Sequence, residues 1–292
     1  IYCVVDYHAI TIEYDVASMQ QRILETATVL VACGLTPDRC AVFVQSHVPE
    51  HTELTWIFNC ITPLGELERM TQFKEKGKQH RHNVNVGLLD YPVLQAADIL
   101  IYKAGYVPVG EDQIQHVEFS REIARKFNAR FGETFPEPQV LLSTVPRILG
   151  TDGNAKMSKS MNNAIGLLDP PEVIWEKLRT AVTDVNRQRR SDPGNPEVCN
   201  IFTMHRIFSK PDQIAFIDHH CRTAGMGCIE CKEILLKNMM EEISPIQNRV
   251  KEINGKPGYI IDVLKSGTAR CKGIADQVMD EVRRKVGIKS EW

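Results

Sequence analysis

The sequence predicts an α/β domain built on a parallel sheet, followed by a helical domain. Two patterns carry this reading. In the first half, short apolar strand-like runs alternate with helical periodicities, and past Leu168 the helical patterns continue with no convincing strand. A chain of 292 residues also exceeds one core of ordinary size, so two domains of unequal size are expected. Hydrophobic residues at 43% and charged residues at 25% exclude disordered, collagen-like and low-complexity classes. A net charge of −2 argues against a wholly basic surface, which leaves any nucleic-acid contact to local patches.

The elements follow in order. Ile1-Tyr2-Cys3-Val4-Val5 is an apolar strand entered without a preceding turn or cap, so upstream sequence is expected. A helix capped by Asp15 runs through Met19, Ile23, Ala27, Leu30 and Val31 to Gly34. Ala41-Val42-Phe43-Val44 is the next strand, completing a βαβ unit. Further helices are expected over 53–60, 93–102 and 113–127, with Tyr91 just before the second of these. Asp169-Pro170-Pro171 breaks the chain, and Arg187 to Gly194 is a basic, turn-rich connector. The expected division is 1–168 and 169–271, with a final helix at about 272–292 packing back on the first domain. No apolar run is long enough to cross a bilayer and no signal peptide opens the chain, so a cytoplasmic protein with reduced thiols is expected.

Three segments carry chemistry. Lys156-Met157-Ser158-Lys159-Ser160 follows Gly150, Gly153 and Asn154. Two ammonium groups on such a loop can close over a triphosphate, or simply form a solvated basic loop. Gly110-Glu111-Asp112-Gln113 follows the apolar Tyr106-Val107-Pro108-Val109, at a strand's carboxyl end where open α/β sheets bind ligands. The same tetrapeptide also reads as a capped helix start. In Tyr91-Pro92-Val93-Leu94-Gln95-Ala96-Ala97-Asp98-Ile99-Leu100, Gln95 and Asp98 share one helical face. An acidic group in that apolar setting needs a donor. An indole N–H would serve, and so would a nearby Lys or Arg.

These strings, with Val4-Val5-Asp6-Tyr7-His8-Ala9-Ile10-Thr11 and the stretch from Gly65 to Lys76, resemble bacterial-type tryptophanyl-tRNA synthetases of class I across the whole chain. The Lys156–Ser160 string is the second signature of that class. The family's first signature, a His-containing strand-to-helix turn, should lie upstream of Ile1. The resemblance implies a Rossmann-like catalytic domain and a helical anticodon-binding domain. It also implies ATP with Mg²⁺ as substrate, L-tryptophan and tRNA(Trp) as partners, and a homodimer. It assigns Asp98 to the indole N–H, with Val5, His8, Val107 and Val109 lining the pocket and Tyr91 and Gln113 holding the amino group. Gly110, Asp112 and the backbone at Ile148 would contact adenosine, while Lys76, Lys156 and Lys159 would face the phosphates. The tyrosine enzyme, which shares a Tyr-Pro-x-x-Gln segment, is the nearest alternative. A noncatalytic tRNA-binding or redox-sensing paralogue is another.

Cys199, Cys221, Cys228 and Cys231 leave gaps of 21, 6 and 2 residues. Four thiolates so spaced can surround Zn²⁺ or a [4Fe–4S] cluster. The resemblance favours the cluster, since some members of the family carry a similar motif. His219 and His220 are adjacent and are not expected as ligands. Cys3, Cys33, Cys40, Cys60 and Cys271 are expected to be ordinary buried thiols. Arg187, Arg189, Arg190 and Arg222 near the cysteines suit tRNA phosphates or a solvated basic face.

Overall fold

The computed structural model describes residues 1–71, 84–142, 148–153, 157–158 and 161–288. The chain forms two compact units, Ile1–Ser143 with Ile253–Trp292, and Thr144–Glu252. The division therefore falls at 144 and 253, against 169 and 272 in the sequence pattern.

In the first unit, β1 (Tyr2–Val4) leads into the single turn α1 (Asp6–Ala9) and then α2 (Val16–Ala32). Asp15 caps α2 as expected, its Oδ1 accepting from the Ala17 N–H at 3.1 Å. The chain leaves that helix through Gly34, whose φ of 102° is one that residues with a Cβ rarely adopt. β2 (Val42–Val44) then pairs in parallel with β1, Cys3 opposite Phe43. α3 (Glu50–Asn59) and α4 (Leu64–Glu68) follow.

α5 spans Val86–Leu100 and starts well before the expected position. Asn85 caps it, accepting from the Leu88 N–H at 2.9 Å, and Pro92 is carried inside the helix. Tyr91 is thus within the helix instead of preceding it. An interior Pro lacks one N–H and usually marks a boundary, but here the upstream cap and the buried Leu88, Val93 and Ala96 outweigh it. β3 (Tyr106–Val109), α6 (Ile114–Phe131) and β4 (Gln139–Leu142) complete the run. β4 pairs in parallel with β3, Val109 opposite Leu142. Among the described residues the strands form two separate parallel pairs.

In the second unit, Pro170 and Pro171 open α7 (Pro171–Thr180), with Pro171 at its first position, where no N–H is needed. α8 (Asn200–Phe208), α9 (Pro211–Arg222) and α10 (Cys228–Asn254) follow. Ile174 and Leu178 pack with Ile201, Met204, Leu235 and Met239. The buried Lys232 ammonium donates to the carbonyls of Arg179 at 2.9 Å and Ala181 at 2.7 Å, so a charge among apolar neighbours satisfies the carboxyl end of α7.

α11 (Tyr259–Val286) belongs to the first unit. Its Val263 and Leu264 join Val42 and Val44 in one cluster, and its Cys271, Ala275 and Met279 join Phe43, Leu54 and Phe58 in another. At Gly267 a Cβ would stand 1.9 Å from the Val42 carbonyl oxygen, so only glycine lets the helix lie this close to β2. Lys272 to Glu50 at 2.6 Å and Arg283 to Glu53 at 2.5 Å pin α11 to α3. Cys33 and Cys60 are exposed, contrary to expectation, because each caps the carboxyl end of a helix, where the chain turns into solvent.

Candidate active site

Side chains converge at the carboxyl ends of β1 and β2, where the strands' last residues give way to turns. After β1, the Asp6 carboxylate accepts from its neighbour Tyr7 N–H at 3.1 Å and from Ser46 N–H at 3.0 Å, tying the two strand ends together. Gln45, directly after β2, is buried. Its Oε1 accepts from the Tyr7 N–H at 3.2 Å and its Nε2 donates to Asp98 Oδ1 at 2.7 Å. From the first turn of α3, His51 Nδ1 lies 2.6 Å from the same oxygen, and its Nε2 lies 2.7 Å from the Tyr102 hydroxyl. His8, on α1, places Nε2 2.8 Å from Asp98 Oδ2.

Asp98 is therefore held by two histidines and a glutamine, where the sequence suggested a substrate donor, a lysine or an arginine. Burial works against its charged form, but the hydrogen bonds from His51 and His8 prevail and keep its carboxyl below the usual carboxylate range. Burial, reinforced by Cys271, Cys3 and Asp98 nearby, pushes the Tyr102 hydroxyl up, so Tyr102 stays a neutral donor.

Beside this group, Tyr91 meets the His8 ring edge-on at 6.2 Å and stacks on His116 at 5.5 Å, with its hydroxyl 3.0 Å from His116 Nε2. Burial pushes the Tyr91 hydroxyl up to about 12. Gln95 Nε2 donates to Gln113 Oε1 at 3.3 Å, and Gln113 Nε2 donates to Asp112 Oδ2 at 3.1 Å. Gln95 and Asp98 do share a face of α5, and Gln113 closes the 3-10 turn after β3. Asp112 folds back over Gly110, where a Cβ would meet its Oδ1 at 2.8 Å. Val5 is exposed at the end of β1, while Val107 and Val109 are half-buried on β3.

Lys76, Lys156 and Lys159 lie outside the described residues. Between the last two, Met157 and Ser158 are described, in the second unit with Ile148. The Met157 N–H donates to the Ile148 carbonyl at 3.4 Å and the Ser158 N–H donates to Asn163 Oδ1 at 2.8 Å. Asn163 is buried, donates to Asp152 at 3.0 Å, and fills the space over Gly150 where a Cβ would stand 2.1 Å from its amide nitrogen. Ser158 is thus held by a residue that no motif marked.

Elsewhere in the second unit, Cys199, Cys221, Cys228 and Cys231 line one pocket with Thr183, Arg187 and Met226. A Cβ on Gly194 would stand 2.6 Å from Cys221 Sγ, so glycine there leaves room for the thiol. Arg187 points inward. Its Nη2 donates to the Met226 carbonyl at 2.6 Å and its Nη1 lies 3.9 Å from Cys221 Sγ. Burial raises the Cys199 and Cys221 thiols and pushes Cys231 up to about 12. His205, buried and lowered to about 4 by that burial, stands 3.4 Å from Cys231 Sγ. Among the described residues no group of three or more His, Cys, Asp or Glu side chains is set to hold a metal ion. His219 and His220 stay off the pocket, His220 packing on Phe216 at 4.2 Å. Arg222 is paired to Asp218 and Glu197, and Arg190 to Glu230.

His51, Gln45, Tyr102 and His116 escaped the sequence motifs. Gln45 had a signal, a polar residue immediately after an apolar strand. His51, on a helix far along the chain from its partner, had none.

The parallel strands and the helical second unit fit an aminoacyl-tRNA synthetase fold of the first class. The chain matches the family tRNA synthetases class I (W and Y) over residues 1–243 and belongs to it. It is 52% identical to the tryptophan–tRNA ligase of Deinococcus radiodurans over 98% of this chain and 88% of that protein. To the tryptophan–tRNA ligase of Thermotoga maritima it is 43% identical, with the same coverage of both. The crystal structure of tryptophanyl-tRNA synthetase from Campylobacter jejuni complexed with ADP and tryptophan superposes with a TM-score of 0.85, at 33% identity over 98% of this chain and 88% of that one. Among the described residues no helix is long and apolar enough to cross a membrane.

Proposed function

We propose that the chain is a tryptophan–tRNA ligase. The observation that carries this is the partly buried Asp98 carboxylate at the strand ends, an acceptor suited to an indole N–H, in a chain 52% identical to a tryptophan–tRNA ligase. The tryptophan carboxylate attacks the α-phosphate of ATP, releasing pyrophosphate and forming tryptophanyl-adenylate, and the tRNA(Trp) 3′ end then takes the tryptophanyl group. Val5, His8, Val107 and Val109 line the indole pocket, while Tyr91 and Gln113 hold the amino group. Gly110, Asp112 and the Ile148 backbone contact adenosine. Lys76, Lys156 and Lys159 neutralise the phosphates, and Mg²⁺ accompanies ATP as substrate, through phosphate oxygens and water. The second unit reads the tRNA anticodon, and the enzyme works in the cytoplasm. Exposed Trp56, Leu64 and Val86 support a homodimer, which would cover them. ATP–pyrophosphate exchange is expected to require tryptophan. Exchange driven by tyrosine alone would overturn the assignment.

The four thiols on one pocket, and the glycine that makes room for Cys221, support a [4Fe–4S] cluster held by Cys199, Cys221, Cys228 and Cys231, with Zn²⁺ as the alternative. Thiols raised by burial are neutral on their own, and a bound cation would supply the charge that deprotonates them. Such a group would cross-link the chain before α8, the end of α9 and the start of α10. Anaerobically purified protein is expected to contain iron and sulfide in equal amounts and to lose both in the Cys228→Ser variant. Zinc without iron would replace the cluster, and neither element would refute a metal here.

A further inference from the structure

The two oxygens of Asp98 have different surroundings. Oδ1 accepts from Gln45 Nε2 at 2.7 Å and faces His51 Nδ1 at 2.6 Å, which fills both its acceptor positions. Among the described residues, Oδ2 has one such partner, His8 Nε2 at 2.8 Å. The His51 side chain is fully buried, whereas the His8 side chain is 17% exposed, so the saturated oxygen points inward and the oxygen with spare capacity lies on the accessible side. His51 is itself fixed from three directions. Its Nε2 lies 2.7 Å from the Tyr102 hydroxyl, and its ring packs 5.7 Å from Phe43 and 5.4 Å from Tyr102. Ionised Asp98 can only accept, so the imidazole proton sits on Nδ1, and the Tyr102 hydroxyl donates to Nε2 and holds that tautomer.

We propose that His51 is a positioning residue for amino-acid selection. Together with Gln45 it saturates Asp98 Oδ1, fixes the carboxylate's rotation and reserves Oδ2, beside His8, for the donor of the substrate side chain. This rests on the reading that Asp98 accepts the indole N–H. A substrate with a ring N–H at Oδ2 gains a charge-assisted hydrogen bond. One lacking the donor leaves a buried carboxylate short of a partner and is rejected.

The test compares kcat/KM in ATP–pyrophosphate exchange for tryptophan and for β-(benzothiophen-3-yl)alanine, which has sulfur in place of the indole N–H. Wild-type enzyme is expected to prefer tryptophan by about 10- to 150-fold, the range of a hydrogen bond to a charged group. In His51→Asn the amide nitrogen stands where Nδ1 stood, and the preference is retained. In His51→Gln the amide reaches the Nε2 position instead, and the preference falls by about tenfold. Tyr102→Phe keeps the imidazole but removes the hydroxyl that fixes its tautomer, and should lower the preference several-fold even if His51→Gln does not fold. Equal losses in the Asn and Gln variants would show a merely structural role and overturn the proposal. Unchanged preference in folded His51→Gln, or in Tyr102→Phe where the former does not fold, would overturn it while leaving the Asp98 reading intact. Absence of any preference in the wild type would overturn both.

Discussion

Replacing Asp98 by Asn lowers kcat/KM for tryptophan in ATP–pyrophosphate exchange by about 10²- to 10³-fold, corresponding to roughly 3–4 kcal/mol of lost stabilisation. Two effects combine. The substrate loses a charged acceptor, and the network loses its centre, because whichever way the amide is turned its NH₂ faces a nitrogen of Gln45 and His51 or of His8. The second effect also costs stability, about 1–3 kcal/mol for donors left buried without an acceptor. Its pH dependence has a definite sign. The folded carboxyl titrates below its unfolded value of about 3.9, so the stability it contributes is present in full above that pH and is lost as pH falls through the folded value. Urea unfolding of wild type and variant should therefore differ most at neutral pH and converge in acid. Equal kcat/KM values for the two proteins would remove Asp98 from substrate recognition.

Gly267→Ala destabilises the first unit by about 3 kcal/mol or more, the upper end of overpacking costs, because the added methyl meets backbone and not a side chain that can swing away. The Val42 carbonyl oxygen, carbon and nitrogen would stand 1.9, 2.7 and 3.0 Å from it, so either α11 lifts off β2 or the strand moves. A loss of that size lowers Tm by roughly 6–12 °C in a unit of this length. Gly273, two turns on in the same helix, is exposed, has nothing within 4 Å of its Cβ position and has no left-handed φ. Gly273→Ala should instead stabilise by about 0.5–1 kcal/mol through helix propensity alone. Thermal melts of the two variants thus move in opposite directions. A neutral Gly267→Ala would mean that the helix does not approach β2 this closely.

The parts of the fold that sequence periodicity reveals are the local ones. Asp15 and the apolar residues of α2 mark that helix, and Val42-Phe43-Val44 marks β2, because cap and pattern lie within a few residues of each other. Pro92 misleads, since a proline that ordinarily ends a helix is tolerated inside α5 once Asn85 has started it. The four cysteines, read from spacing, do line one pocket. The site is legible only in part. Asp98 stands out as a carboxylate in an apolar run and His8 lies in a marked string, but its other two partners, Gln45 and His51, come from about fifty residues upstream. Only the folded chain brings them to one carboxylate. Asn163 is hidden for a related reason, because its importance lies in filling the space above Gly150, which no pattern of residue types encodes.

The position of α11 in the chain also governs how the protein is made. Val263, Leu264, Cys271 and Met279 complete cores whose other halves, Val42, Phe43, Leu54 and Phe58, are synthesised more than two hundred residues earlier. While the ribosome translates the whole of the second unit, the early strands wait with one apolar face uncovered. Closure of so long a loop makes this a slow, late step with high contact order. The strands that carry Gln45 and the Asp98 network thus stay incompletely packed until α11 has left the tunnel.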